Sequence, residues 1–107
     1  MIDTNTFLTT LYVVVDDFCK SALPPESPHY PAPSLTRSEV VTLAVFGQWN
    51  HFQSERDFYR YAKQHLVAAF PTLPDRSQFN RLVRQHTRTI TNFFRSLVKR
   101  LRAQVCL

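Results

Sequence analysis

Residues 35–82 read LTRSEVVTLAVFGQWNHFQSERDFYRYAKQHLVAAFPTLPDRSQFNRL, and three start signals within them decide the fold. In Thr36-Arg37-Ser38-Glu39 the threonine hydroxyl can accept from the Glu39 amide while the Glu39 carboxylate reaches back, a capping box worth about 1 kcal/mol. Leu35 precedes it as a hydrophobic staple. Ser54-Glu55-Arg56-Asp57 is a second cap, with two acids in the first turn where the helix dipole favours negative charge. Asp75, with Gln78 three residues on, is the third. Each signal precedes apolar residues at three- and four-residue spacing: Val40, Leu43, Ala44 and Phe46 or Gly47; then Phe58, Tyr59, Tyr61, Ala62, His65, Leu66, Ala69 and Phe70; then Phe79 and Val83. Three consecutive helices are predicted, the second ending at Pro71 and the third starting at Arg76.

Downstream, His86, Ile90, Phe93 or Phe94, Leu97, Leu101 and Val105 prolong the last stripe to the end of the chain. One long helix, or two separated near Thr87 to Thr91, would both satisfy it. Upstream, Phe7, Leu8, Leu11, Tyr12, Val15, Phe18 and Cys19 share one helical face from Thr4 to about Ala22. The β-branched run Val13 to Val15 slightly disfavours a helix there, and a strand fits the periodicity less well. Pro24, Pro25, Pro28, Pro31 and Pro33 then form a stiff, extended linker. Gly47 lies inside a helix at a cost of about 1 kcal/mol relative to alanine, which points to a close neighbour or to a kink. The single glycine and clustered prolines favour long helices over a sheet with many tight turns. The expected architecture is all-α with four to five helices. Residues 1–34 form an N-terminal helix and proline-rich linker, and residues 35–107 a trihelical, helix-turn-helix-like unit ending in a long basic amphipathic helix.

Several functional classes lack support. Cys19 and Cys106 stand far apart without a CxxC partner and read as buried free thiols rather than a disulfide or zinc framework. His29, His51, His65 and His86 lack metal spacing. One glycine rules out a glycine-rich phosphate loop, and no serine sits in a nucleophile elbow. Asp16 and Asp17 diverge on a helix and Asp75 is committed to a cap, so no carboxylates converge for two-metal chemistry. Leu11 to Val15 is too short for a signal core or a membrane span, which makes a cytoplasmic location the expectation.

The charge is polarised. Residues 1–54 hold two bases against five acids, giving −3, while residues 55–107 hold eleven against three, giving +8. No acid follows Asp75. Arg81, Arg88, Arg95 and Arg102 recur every seven residues with Arg84 and Lys99 beside them, so a basic ridge is expected along the last helical stretch, suited to phosphates. In a helix-turn-helix reading, Arg76, Ser77, Gln78, Asn80, Arg81 and Arg84 at the start of that stretch are the candidates for base edges. Arginine reads guanine and asparagine or glutamine reads adenine through paired hydrogen bonds. The turn from Pro71 to Asp75 is longer than the motif's tight turn and has no glycine.

The quoted stretch resembles the N-terminal region of bacterial DDE-type insertion-sequence transposases, closest to the group named for insertion sequence nine-eight-two. Leu35 with Ser38-Glu39-Val40, Ser54 to Tyr59, and Leu73 to Arg81 carry the resemblance. It implies a helical DNA-binding region followed by an RNase H-like core whose three acids hold divalent metals. The chain stops at Leu107, and none of those catalytic acids maps onto it. The expectation is therefore a truncated module that recognises transposon terminal inverted repeats and is not itself an enzyme, with no cofactor of its own, no small-molecule substrate and no membrane association. The alternative is a helical oligomerisation or interaction module, its stripe from Phe79 to Val105 pairing with a copy of itself or with the missing catalytic domain, or a stand-alone inhibitor of transposition.

Overall fold

Among the described residues the chain forms five helices: α1 (Thr4–Ala22), α2 (Arg37–Trp49), α3 (Glu55–His65), α4 (Arg76–Gln85) and α5 (Thr87–Val105). The computed structural model describes residues 4–23 and 35–105, and among them there is no strand. The fold is all-α, and the valine run of the first segment is helical. The expected proline linker, Pro24 to Pro33, and Cys106 lie outside the described residues.

The organising element is α2, which is buried on two sides. Val40, Leu43 and Phe46 enter one core with Leu8, Leu35, Phe58, Ala62, Leu66, Phe70 and Phe79. Val41 and Val45 enter a second with Val15, Cys19, Ile90 and Phe93. Reading α2 as a single inward stripe captures the first and, through Ala44, only the margin of the second; the apolar run Val40 to Phe46, interrupted only by Thr42, covers more than one face. Thr42 is fully buried, and its hydroxyl donates to the Ser38 carbonyl at 2.7 Å, so the one polar side chain in that run costs little.

α1 lies antiparallel on α2. Near one end Phe7 meets Phe46 and Trp49, each with ring centres 5.9 Å apart. At the other, Ser38 Oγ donates to Asp16 at 2.8 Å, Lys20 pairs with the same carboxylate at 2.8 Å, and Arg37 donates to the Cys19 carbonyl at 3.4 Å. The Lys20 and Ser38 hydrogen bonds hold the Asp16 carboxyl below the usual aspartate range. Burial pushes the Cys19 thiol up, consistent with a packed, inert cysteine. The segments on either side of residue 34 thus pack directly against each other.

All three predicted caps form. Thr36 and Glu39 make the reciprocal box, at 3.2 and 2.9 Å; Ser54 accepts from the Asp57 amide at 3.1 Å, and Asp75 from the Gln78 amide at 2.8 Å. Gly47 has the close neighbour its position implied: a Cβ there would stand 3.3 Å from the Phe58 ring. Two boundaries differ from expectation. α3 ends at His65 rather than running to Pro71, because the chain leaves helical geometry already at Leu66, at φ −112° and ψ 3°. The chain instead turns at Leu66, whose carbonyl accepts from the Ala69 and Phe70 amides, and Phe70 folds back into the core. The last stripe is two helices, parted at His86 with φ −106° and ψ 17°, just ahead of the Thr87 to Thr91 window.

Two outcomes follow. His51, which follows the end of α2, sits at φ 57°, in the left-handed region that glycine occupies without steric penalty. His51→Gly should stabilise the protein by about 1 kcal/mol, read as a higher urea midpoint at unchanged m-value. Asp16, with its folded pKa lowered, contributes stability that is present above the ordinary aspartate value of about 3.9 and lost as pH falls through the folded value. Asp16→Asn should therefore be less stable than the parent at neutral pH, and the difference should close on acidification.

Candidate nucleic-acid interface

Two aromatic anchors fix where the cations point. Phe79 of α4 packs on Phe58 and Tyr59 of α3, with ring centres 6.0 and 6.1 Å apart, and the Tyr59 hydroxyl donates to the Pro74 carbonyl at 2.6 Å, strapping residues 66–75 to α3. Phe93 of α5 meets Phe18 of α1 edge-on at 5.5 Å. With those rings inward, the remaining faces of α4 and α5 turn to solvent.

At the roughly 100° each helical residue turns, Ser77, Arg81 and Arg84 fall within about 40° of the point opposite Phe79. All three are exposed. Arg76 and Gln78 are exposed on the flanks, while Asn80 is half-buried and lines a cleft with Gly47, Gln48, His51, Phe58 and Val83. The six base-edge candidates therefore divide. Three form an outward strip, two flank it, and Asn80 is partly withdrawn into the cleft that it lines with residues of α2 and α3.

On α5, Arg88, Arg95, Lys99 and Arg102 fall within about 60° of the point opposite Ile90, and all four are exposed. The seven-residue series is thus carried by two helices: Arg81 and Arg84 precede the joint at His86, and Arg88 onward follows it. The joint is tight. The His86 amide donates to the carbonyls of Leu82 and Val83, Thr87 Oγ donates to the Arg84 carbonyl at 3.0 Å, and the His86 carbonyl accepts from Ile90 at 2.9 Å. Among the described residues, none of the α4 and α5 cations forms an ion pair with an acid.

The helical periodicity of α3 places Arg56, Arg60 and Lys63 on its outer face as well, within about 40° of the point opposite Phe58, and they too are exposed. The sequence reading counted these charges without assigning them a face, although the spacing that places Phe58 and Ala62 inward would have done so. Gln48 is the other residue it missed; it borders both the Asn80 cleft and a groove along α5.

Among the described residues no group of three or more His, Cys, Asp or Glu side chains is placed to hold a metal ion, and no helix is long and apolar enough to cross a membrane. Comparison with protein-family models, with curated proteins and with solved structures found no match.

The start of α4 depends on the Asp75 cap, which satisfies a backbone donor that would otherwise lack a partner. Asp75→Ala should lower stability by about 1 kcal/mol. The loss should be accompanied by faster amide exchange at Ser77 and Gln78, measured by NMR.

Proposed function

We propose that this chain is a DNA-binding helical module of an insertion-sequence transposase that grips the element's terminal repeats and does not cut them. The observation that carries the proposal is the row of exposed cations, Arg81 and Arg84 on α4 and Arg88, Arg95, Lys99 and Arg102 on α5, each standing opposite its helix's buried face and none paired with a described acid. An ordinary solvated helix face interleaves both signs, because opposite charges three or four residues apart stabilise it. Here the sequence offers no acid after Asp75, and the uncompensated charge attracts a polyanion.

The roles divide by geometry. The α5 row suits phosphates, since lysine and arginine on a straight face contact the backbone without reading sequence. The exposed α4 strip, with Gln78 beside it, carries the side chains suited to base edges. The connection over residues 66–75 is longer than that of a compact helix-turn-helix, so the order of contacts, rather than membership of that motif, is what is proposed. Binding without cleavage is the assigned role, supported by Asp16 being engaged by Lys20 and Ser38 and Asp75 by the α4 cap. The resemblance of residues 35–82 to transposase N-terminal regions supplies the choice of DNA and of transposon ends.

Titration of duplex DNA carrying the terminal repeats against salt tests the proposal. If about 4 to 6 phosphates are neutralised, log affinity should fall with log salt at a slope near −4 to −5. Arg88→Gln with Arg95→Gln should weaken binding equally across sequences and flatten the slope by about 2, whereas Arg81→Ala should narrow the gap between specific and non-specific DNA. A folded protein that binds no DNA, or binds with no dependence on salt, overturns the reading.

A further inference from the structure

Beside the phosphate row runs a second surface of mixed character. Its apolar part comprises Val83 of α4 and Phe94 and Val98 of α5, and its edge is Arg95, Lys99 and Arg102. Going round α5, the side chains pass from half-buried Phe94 through Val98, which is 47% exposed, to the cations. An exposed valine in line with a half-buried phenylalanine gains nothing from water, and a phosphate backbone offers it no apolar contact.

We propose that this groove docks an acidic amphipathic helix of a partner protein, its apolar stripe on Phe94 and Val98 and its carboxylates on Arg95, Lys99 and Arg102. Charge complementarity selects that occupant. A second copy's α5 would bring cations against cations in either direction, since α5 contains no acid. Among the described residues no other helix has more than two acids, so none supplies a matching row. The length also fits: Thr87 to Arg102 spans about 22 Å of helix at about 1.5 Å per residue, room for roughly four turns of partner. The docking stands independently of DNA binding, although the two ligands would share three cations and so exclude one another.

The probe is a synthetic helix of about four turns with leucine at three- and four-residue spacing and glutamate elsewhere, titrated against the full chain by fluorescence anisotropy. It should bind, more weakly as salt rises. Val98→Ser should weaken it about five- to tenfold, as loss of one buried aliphatic side chain predicts. Val13→Ser, a change to a comparably exposed valine on α1, should leave binding unchanged. Duplex DNA affinity should be the same for Val98→Ser and the parent. Polyglutamate binding as tightly as the probe, or probe binding indifferent to Val98→Ser, overturns the proposal. A dimer of the chain alone that dissociates in Val98→Ser assigns the groove to a second copy instead. An equal loss of DNA affinity in that variant assigns it to nucleic acid. Either result overturns the acidic-helix reading. Absence of DNA binding throughout, with the probe results intact, would remove the proposed function and leave the docking standing.

Discussion

Everything in this fold depends on α2 being apolar on two sides at once. A helix with one inward stripe can support one core; α2 sends Val40, Leu43 and Phe46 to one cluster and Val41 and Val45 to another, so α3 and α4 pack on one side and α5 on the other. α1 contributes to both, with Leu8 in the first cluster and Val15 and Cys19 in the second. Cutting back a fully buried residue such as Leu43 or Val41 would damage a shared wall rather than a local contact, which is where large destabilisation by cavity formation is expected. The hydrogen bond from Ser38 to Asp16 fixes the register of α1 on this wall, because a slide of one helical turn would part the two, while Lys20, on α1 itself, would stay with the carboxylate.

The electrostatic asymmetry follows from that packing. Interior positions on α4 and α5 are few and large, Phe79 on one and Phe93 with Ile90 on the other, and they are enough to orient each helix. The cations at seven-residue spacing then have only the outer face to occupy. Their exposure is a consequence of where the rings go in, and the tight joint at His86 passes the series from one helix to the next with a single residue between them.

Local chemistry was legible in the sequence, and shared burial was not. The caps at Thr36, Ser54 and Asp75 are written in three or four consecutive residues and involve no distant partner, so they could be read directly. Gly47 announced a close neighbour because its helical cost needed compensation, though not that the neighbour is Phe58. The second role of α2 was hidden, since Val41 and Val45 find their partners in Val15 and Phe93, far away in sequence. The early end of α3 was not legible: Pro71 constrains only Phe70, whereas the turn at Leu66 goes with the burial of Leu66 and Phe70 together in one core. Asn80 was grouped with Arg81 by adjacency, yet neighbours on a helix point about 100° apart, and the cleft that half-buries Asn80 is lined by Gly47, Gln48 and Phe58, distant in sequence. The break at His86 left no mark in the apolar spacing, because a single non-helical residue shifts the periodicity too little to interrupt it.

The charge arrangement of α5 has an energetic consequence for the helix itself. Arg95 and Lys99 are four residues apart and Lys99 and Arg102 three, so like charges meet where an alternating helix would place ion pairs, each contact costing a few tenths of a kcal/mol. Arg102, in the last turn, recovers part of this through the helix dipole. Packing does little for the same turns: Leu97 is half-buried, and Leu101, on the same face, is 58% exposed. The end of α5 therefore combines mutual repulsion with sparse burial, the condition under which an external polyanion or an acidic partner stabilises a helix most, since it removes the repulsion and covers apolar surface together. A segment held this way gives up stability in isolation, and the same uncompensated charge gives it attraction for a ligand of opposite sign.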